Sequence, residues 1–316
     1  MGTFNPISSY PSGFGSGLSV RGLPILQTFG GNVFWVDSAR GSNGNKGTRQ
    51  RPFATLDYAI GRCTANQGDI ILLRENHAET ITGIGGITAD IAGITIIGLG
   101  TYNQRPRFLM DGGTSVTFVV TAADVTISNL VFASGHLLIT TCFNVTGVGC
   151  HIDRCEFSDN TTAENWATPV KATGAANTAD GLKVTNCRWV PLIASVNELE
   201  FVEITDDIRE MVIANNFIAH EGTASPLVLQ AGTKVMHCAY IVNNHLSHKM
   251  TAGDLLIDNG GATNSGIIAY NFCGNADVTG AQGGGAATGM RFFENLYTST
   301  AVDSGALEPA ADTPLT

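Results

Sequence analysis

The chain has 316 residues and a mass of 33.1 kDa, enough to bury a sizeable core in one long domain or two average ones. Glycine is 38 of the residues, threonine 34 and asparagine 23, while lysine is 5 and all charged residues reach 14%, which argues against many exposed helices. A net charge of -10 with 17 basic residues scattered along the chain argues against a nucleic-acid surface, no apolar run reaches the ~18 residues of a membrane span, and 43% hydrophobic content excludes disorder.

Residues 1–30 are rich in Gly, Ser and Pro, with Phe4, Tyr10, Phe14, Leu23, Ile25 and Leu26 at no regular period, and read as an extended arm without an export signal. Residues 31–67 read as a strand at Val33 to Val36, a tight loop from Asp37 to Gly47, and a helix of about two turns over 53–60 with Phe53, Leu56 and Ile60 on one face. Seven cysteines without a Cys-x-x-Cys pair predict reduced, buried thiols.

From residue 68 the sequence becomes repetitive. An aliphatic anchor is followed two or three places on by asparagine and then a bulky residue, at Ile127, Ile152, Val184, Ile213, Ile241, Ile268 and Phe292. With Ile71 and Ile96 as earlier members the anchors step by 25, 31, 25, 32, 29, 28, 27 and 24 residues. A second short apolar strand precedes each anchor, at Val119, Phe143, Val170, Val202, Val228 and Leu256. Short strands with polar, Gly-rich corners at this period predict a parallel β-helix over 68–297, whose stacked coils bury a face that no single coil buries alone. The repeated asparagines are expected to tolerate left-handed backbone and to stack as a hydrogen-bonded ladder. The helix at 53–60 is expected to cap the open N-terminal edge of the solenoid, and residues 298–316 to form a tail.

The stretch Phe34-Trp35-Val36-Asp37 through Gly41 and Gly47 to Pro52-Phe53-Ala54-Thr55-Leu56, then Gly68-Asp69-Ile70-Ile71 and His77-Ala78-Glu79, resembles the opening of the right-handed parallel β-helix proteins of tailed bacteriophages, over about residues 33–100. Where related chains carry Gly before the residue matching His77, this one has Asn76. The resemblance implies an all-β, single-stranded, right-handed, pectin-lyase-like solenoid with a short N-terminal capping helix. It also implies a non-enzymatic virion component: a capsid-decorating or cement protein or surface spike, assembled as a homotrimer, made in the host cytoplasm and attached to the particle through residues 1–30. The competing expectation is a tailspike depolymerase, a lyase or hydrolase acting on host surface polysaccharide.

Sugar-cleaving chemistry on a β-helix needs clustered carboxylates on one face. The candidates are Asp206 and Asp207 with Arg209, the run Glu198, Glu200 and Glu203, and Asp254 with Asp258. Asp206 and Asp207 fall at a corner, where Asp forms turns, and Asn177 with Asp180 is one residue too long for an Asn-x-Asp motif, leaving Gly135-His136 and the Asp pair isolated. Glu198 and Glu200 share a strand face expected to point outward, with Glu203 opposite. Metal ligation by Cys150, His151 and Cys155, or by His245 and His248, is disfavoured by strand parity, and Cys155 and Cys187 are expected to stack in the core. The Asp37 to Gly47 loop offers calcium one acidic side chain, with Asn43 and Asn45 beside it. Of Trp35, Trp166 and Trp189, only Trp166, in the polar insert 158–168, is expected to be free for recognition. No catalytic residue, metal or cofactor is assigned.

Overall fold

The computed structural model describes residues 19–20, 23–24, 31–161, 164–191, 199–220, 227–230, 234–248, 254–259, 264–276, 282–284, 289–299 and 305–306. Among them the chain forms a parallel β-solenoid of three sheets with ten, ten and eight strands. Sheet 1 runs from Val33–Val36 and Ile70–Leu73 through Thr95–Gly98, Thr126–Ser128, His151–Asp153, Lys183–Thr185, Val212–Ala214, Ala239–Val242 and Gly266–Ala269 to Met290–Phe293. Sheet 2 runs from Ala78–Ile81 to Leu296–Ser299, where Gly305–Ala306 adds an antiparallel strand, and sheet 3 from Ile87–Ala89 to Gln282–Gly284. The chain visits the sheets in the order 1, 2, 3 and then returns to sheet 1 one strand further along.

Alternation along each short strand sets the core. The anchors Ile71, Ile96, Ile127, Ile152, Val184, Ile213, Ile241 and Ile268 are register partners in sheet 1, and all are fully buried. Burying each such side chain is worth about 1.5–3 kcal/mol against leaving it exposed. In sheet 2 the matching inward column is Phe108, Phe132, Phe157, Trp189, Ile218 and Leu246. Its rings stack between coils, Phe108 on Phe132 at 5.4 Å and Phe132 on Phe157 at 6.2 Å. In sheet 3 the column is Phe118, Phe143, Val170, Val202, Val228 and Ile257 in register. Phe118 is the buried residue where Val119 marks the strand, because period-2 alternation turns a neighbouring residue to the other face, and Ile257 is the register partner of Val228.

The asparagine pattern divides into two columns. Two places after the anchor, Asn129, Arg154, Asn186, Asn215, Asn243, Tyr270 and Glu294 all have φ between 50° and 61°. Three places after it, the side chain points inward, and Leu130, Cys155, Cys187, Asn216, Asn244, Asn271 and Asn295 are buried. The last four form the ladder: Asn216 Nδ2 donates to Asn244 Oδ1, Asn244 Nδ2 to Asn271 Oδ1 and Asn271 Nδ2 to Asn295 Oδ1, each at 2.9 Å. Each also donates to the anchor carbonyl of the preceding coil, for example Asn244 to Ile213 at 3.0 Å.

The helix is Leu56–Ile60, five residues instead of two turns. Pro52 has no amide hydrogen to donate, and Phe53 is drawn into a parallel bridge with Val36, so the chain stays extended until Thr55. Leu56, Ala59 and Ile60 are buried on its inner face. The strand at Val33–Val36 is the first member of sheet 1. Of the N-terminal arm only the pair Ser19–Val20 and Leu23–Pro24 lies within the described residues, and of the tail only 298–299 and 305–306.

Candidate functional site

The corner carboxylates hold one coil to the next. Asp207 Oδ1 accepts from the Val235 amide at 2.9 Å and Asp180 Oδ1 from the Arg209 amide at 2.7 Å. Asp206 pairs with Lys234 at 2.6 Å. Asp69, fully buried, accepts from the Thr64 amide at 2.7 Å and from Asn32. Asp207, Asp180 and Asp69 thus satisfy backbone N–H groups at the corners, which is why acids recur there. Asp206 and Asp207 are thus bound into the wall, with Arg209 pointing to solvent. His136 is exposed, and its Nδ1 lies 2.9 Å from the Leu137 carbonyl oxygen.

The glutamates depart from expectation. Glu200 is fully buried and accepts from Thr168 Oγ1 at 2.9 Å, because it shares the inward parity of Val202. Glu203 does face the opposite way, onto Lys171 at 2.7 Å across the strand pair. Glu198 lies outside the described residues, as do the side chains of Asp254, Asp258 and His248. Trp166 is also corrected: it opens the strand Trp166–Ala172 in phase with Thr168 and Val170, is fully buried, and donates its indole N–H to the Ser158 carbonyl at 2.9 Å. Trp189 is in the core, as its place in the repeat predicts.

Cys150 and Cys155 both point inward, since the left-handed residue Arg154 between them turns the corner and resets the alternation that parity along one strand assumes. His151 points to the other face of the sheet and does not join them. Burial pushes the Cys150 thiol up to about 12, with the neighbouring Cys155 adding to it, and Cys187, stacked on Cys155, is raised well above the ordinary range. Around the Asp37 to Gly47 loop, Asp37 Oδ1 accepts from the Ala39 and Arg40 amides and Asn43 Oδ1 from those of Ala54 and Thr55, while Asn45 Nδ2 donates to the Pro52 carbonyl. Asp37, Asn43 and Asn45 thus serve the loop's own shape. Among the described residues no group of three His, Cys, Asp or Glu side chains is placed to hold a metal ion.

Two constellations were not singled out by sequence reasoning. On the outer face of sheet 1, Asp153 Oδ1 accepts from Thr185 Oγ1 at 3.0 Å and Asn186 Nδ2 at 2.8 Å, and its Oδ2 from Arg154 Nε at 2.8 Å and Ser128 Oγ at 3.2 Å. His151 Nε2 lies 2.8 Å from Thr185 Oγ1. Burial works to raise the Asp153 pKa, but the hydrogen bonds from Asn186, Thr185 and Arg154, with the Arg154 charge, outweigh it and hold the carboxyl below its ordinary value. Burial lowers the His151 pKa against the pull of Asp153, and Lys183 and Arg154 lower it further. The members sit in three coils at steps of 25 and 32 residues, so only register brings them together.

The second lies at the N-terminal end, where Arg40, Arg49, Gln50, Pro52 and Arg74 line a cleft of ≈ 360 Å³. The guanidiniums of Arg49 and Arg74 stand 5.6 and 5.8 Å from the Trp35 ring centroid. Basic residues that look scattered in sequence therefore converge here, and the signal was the density of arginine in the 40–51 loop. Behind it His77 is buried, with Nδ1 accepting from the Ser38 amide at 3.0 Å and Nε2 3.2 Å from Glu79 Oε2. Asn76, with φ 62°, adopts a left-handed backbone of the kind glycine takes readily.

No protein-family model and no curated protein matches the chain. Among solved structures, a rhamnogalacturonan lyase is similar at 15% identity and TM-score 0.48, over 77% of this chain and 74% of that one. A GH136 lacto-N-biosidase from Eubacterium ramulus, as its selenomethionine derivative, is similar at 12% identity and TM-score 0.44, over 86% of this chain and 67% of that one. Likeness of this degree carries nothing about chemistry or substrate.

Proposed function

We propose that the chain is a structural component of a tailed-phage particle, a capsid-decorating or cementing protein or a surface spike, and that it works as a rigid rod and not as an enzyme. The observation that carries this reading is the use of the candidate carboxylates: Asp180 and Asp207 accept backbone amides from the next coil, Asp206 is ion-paired and Glu200 is buried. Among the described residues, these candidates for acid and base chemistry are employed in joining coils. The resemblance over residues 33–100 supports the phage assignment.

Assembly as a homotrimer is part of the proposal. On the outer face of sheet 2 the register column Arg188, Phe217, His245, Phe272 and Leu296 carries rings 5.1 and 5.0 Å apart from Phe217 to His245 and from His245 to Phe272. Phe217 and Leu296 are exposed on this column, as are Tyr240 and Phe293 on sheet 1 and Tyr270 at the corner between the two sheets, and a rod gains by covering such residues with copies of itself. Light scattering should give a mass three times that of the 33.1-kDa chain. Antibody labelling of the parent particle in negative stain should decorate its surface. Incubation with host capsular polysaccharide should release neither reducing ends nor unsaturated uronate. Cleavage that disappears in a folded Asp206→Ala or Asp207→Ala variant would instead establish the depolymerase.

A further inference from the structure

We propose that the arginine-lined cleft at the N-terminal end of the solenoid is a binding site for a phosphate group. It stands independently of the particle assignment. Arg40, Arg49 and Arg74 face one cleft of ≈ 360 Å³ on a chain whose net charge is -10. Cations lining one cleft repel one another, and the fold supplies contacts that hold Arg49 and Arg74 there.

Arg74 is held by the Asp37 carboxylate at 3.5 Å and by a hydrogen bond from Nη2 to the Arg49 carbonyl at 2.8 Å, while Trp35 attracts both it and Arg49 through its ring. The loop bearing Arg40 and Arg49 is fixed as well. The Gly41 amide donates to the Asp37 carbonyl at 2.7 Å and Ser42 to that of Pro52 at 3.1 Å. A Cβ at Gly41 would lie 2.1 Å from the Phe53 carbonyl oxygen, so no other residue permits this approach. Positioning groups in advance lowers the entropy lost on binding.

Among the described residues, Asp37 is the one carboxylate paired with these arginines, leaving a local charge of about +2. That balance suits a phosphate monoester, which carries about -1.5 to -2 near neutral pH, better than a single carboxylate. The guanidinium fork matches phosphate oxygens in pairs, and Arg40 and Arg49 are exposed and able to close on it. The group can come as free phosphate or as an ester on a sugar.

The test is calorimetric titration of the full chain with inorganic phosphate, with a hexose 6-phosphate and with glucuronate, repeated at higher salt. Saturable binding of a phosphate is expected, weakening with salt, and reduced about tenfold in Arg40→Gln and in Arg49→Gln, with melting unchanged. Arg62→Gln, exposed on the same end but outside the cleft, should bind as the parent does. Tighter binding of the ester assigns the group to a larger ligand, and equal binding assigns it to free phosphate; either upholds the site. No saturable binding of either phosphate, affinity unchanged in both cleft variants, or tighter binding of glucuronate would overturn it.

Discussion

Asn243 and Asn244 are chain neighbours with the same side chain and opposite duties. Asn243 is exposed at φ 56°, where its value is a backbone that tolerates the left-handed region, and Asn244 is buried with its amide in the ladder. Replacing Asn243 by Gly should therefore leave stability within about 1 kcal/mol, whereas Asn243→Val should cost about 1–2 kcal/mol. Asn244→Leu removes the acceptor of the Asn216 amide and the donor to the Ile213 carbonyl, and should cost about 3 kcal/mol or more. Denaturant midpoints of the three variants check the division. The sequence displays both columns as one Asn-Asn motif, since the two needs, backbone freedom and side-chain bonding, select the same residue type. Cys155 and Cys187 at the inner position show where the ladder gives way to apolar packing. His151 and Asp153 add a pH dependence. The folded Asp153 pKa is depressed, so its contribution is full above the unfolded carboxyl value and is lost as pH falls through the folded one. The His151 pKa is also depressed, so the unfolded chain takes up a proton first and stability declines as pH drops below the ordinary histidine value of 6.5. Melting followed from neutral pH down to that of acetate buffers should show a decline that is shallower in His151→Gln.

At the scale of the coil, the feature that makes a turn is a left-handed residue on either side of the sheet 1 strand from Ile127 onward, and in the coils of Ile71 and Ile96 the leading one alone. Two places after the anchor stands the column already described, and three places before it stand Gly68, Gly93, Asp124, Gly149, Gly181, Glu210, Cys238 and Gly289 with φ between 55° and 85°. The coil of Ile268 differs, placing its left-handed residue at Gly266. Glycines stand at this fixed distance before five of the nine anchors, and they help explain why the period was readable while loop lengths varied. What the period could not show was parity beyond a corner, so Glu200 and Trp166 were placed on the wrong face. Each is in phase with a buried sheet 3 residue, and the strand start that decides this follows an insert of variable length. Glu210 at φ 55° bears a Cβ where its coil neighbours at 149 and 181 have none, so Glu210→Gly should raise stability by about 1 kcal/mol if the left-handed strain exceeds the entropy of glycine. Gly181→Val should cost more than that, because a β-branched residue is strained there. Thermal melting of the pair reads both signs. The helix Leu56–Ile60 buries Leu56, Ala59 and Ile60, and we propose that it caps the N-terminal edge.

For the whole molecule, stability comes from contacts between neighbouring coils, so a segment outside the stack adds little to it. The anchor column tests the stack itself: Ile213→Asp would bury a charge between Val184 and Ile241 and should cost several kcal/mol, abolishing cooperative folding or lowering the midpoint sharply. Residues 1–30 test the opposite case. They precede the first strand of sheet 1, lack periodicity, and carry Phe4, Tyr10, Phe14 and Leu23 at intervals suited to lying in a groove of another protein. Ordering such an arm on a partner costs conformational entropy that its apolar anchors must offset, so attachment should be lost when the anchors are removed. Deleting residues 1–30 is therefore expected to leave melting and oligomer size unchanged and to abolish retention on purified particles. Retention of the truncated chain would move attachment to the coils or to the tail after Tyr297, and a fall in melting temperature would show that the arm packs on the solenoid it precedes.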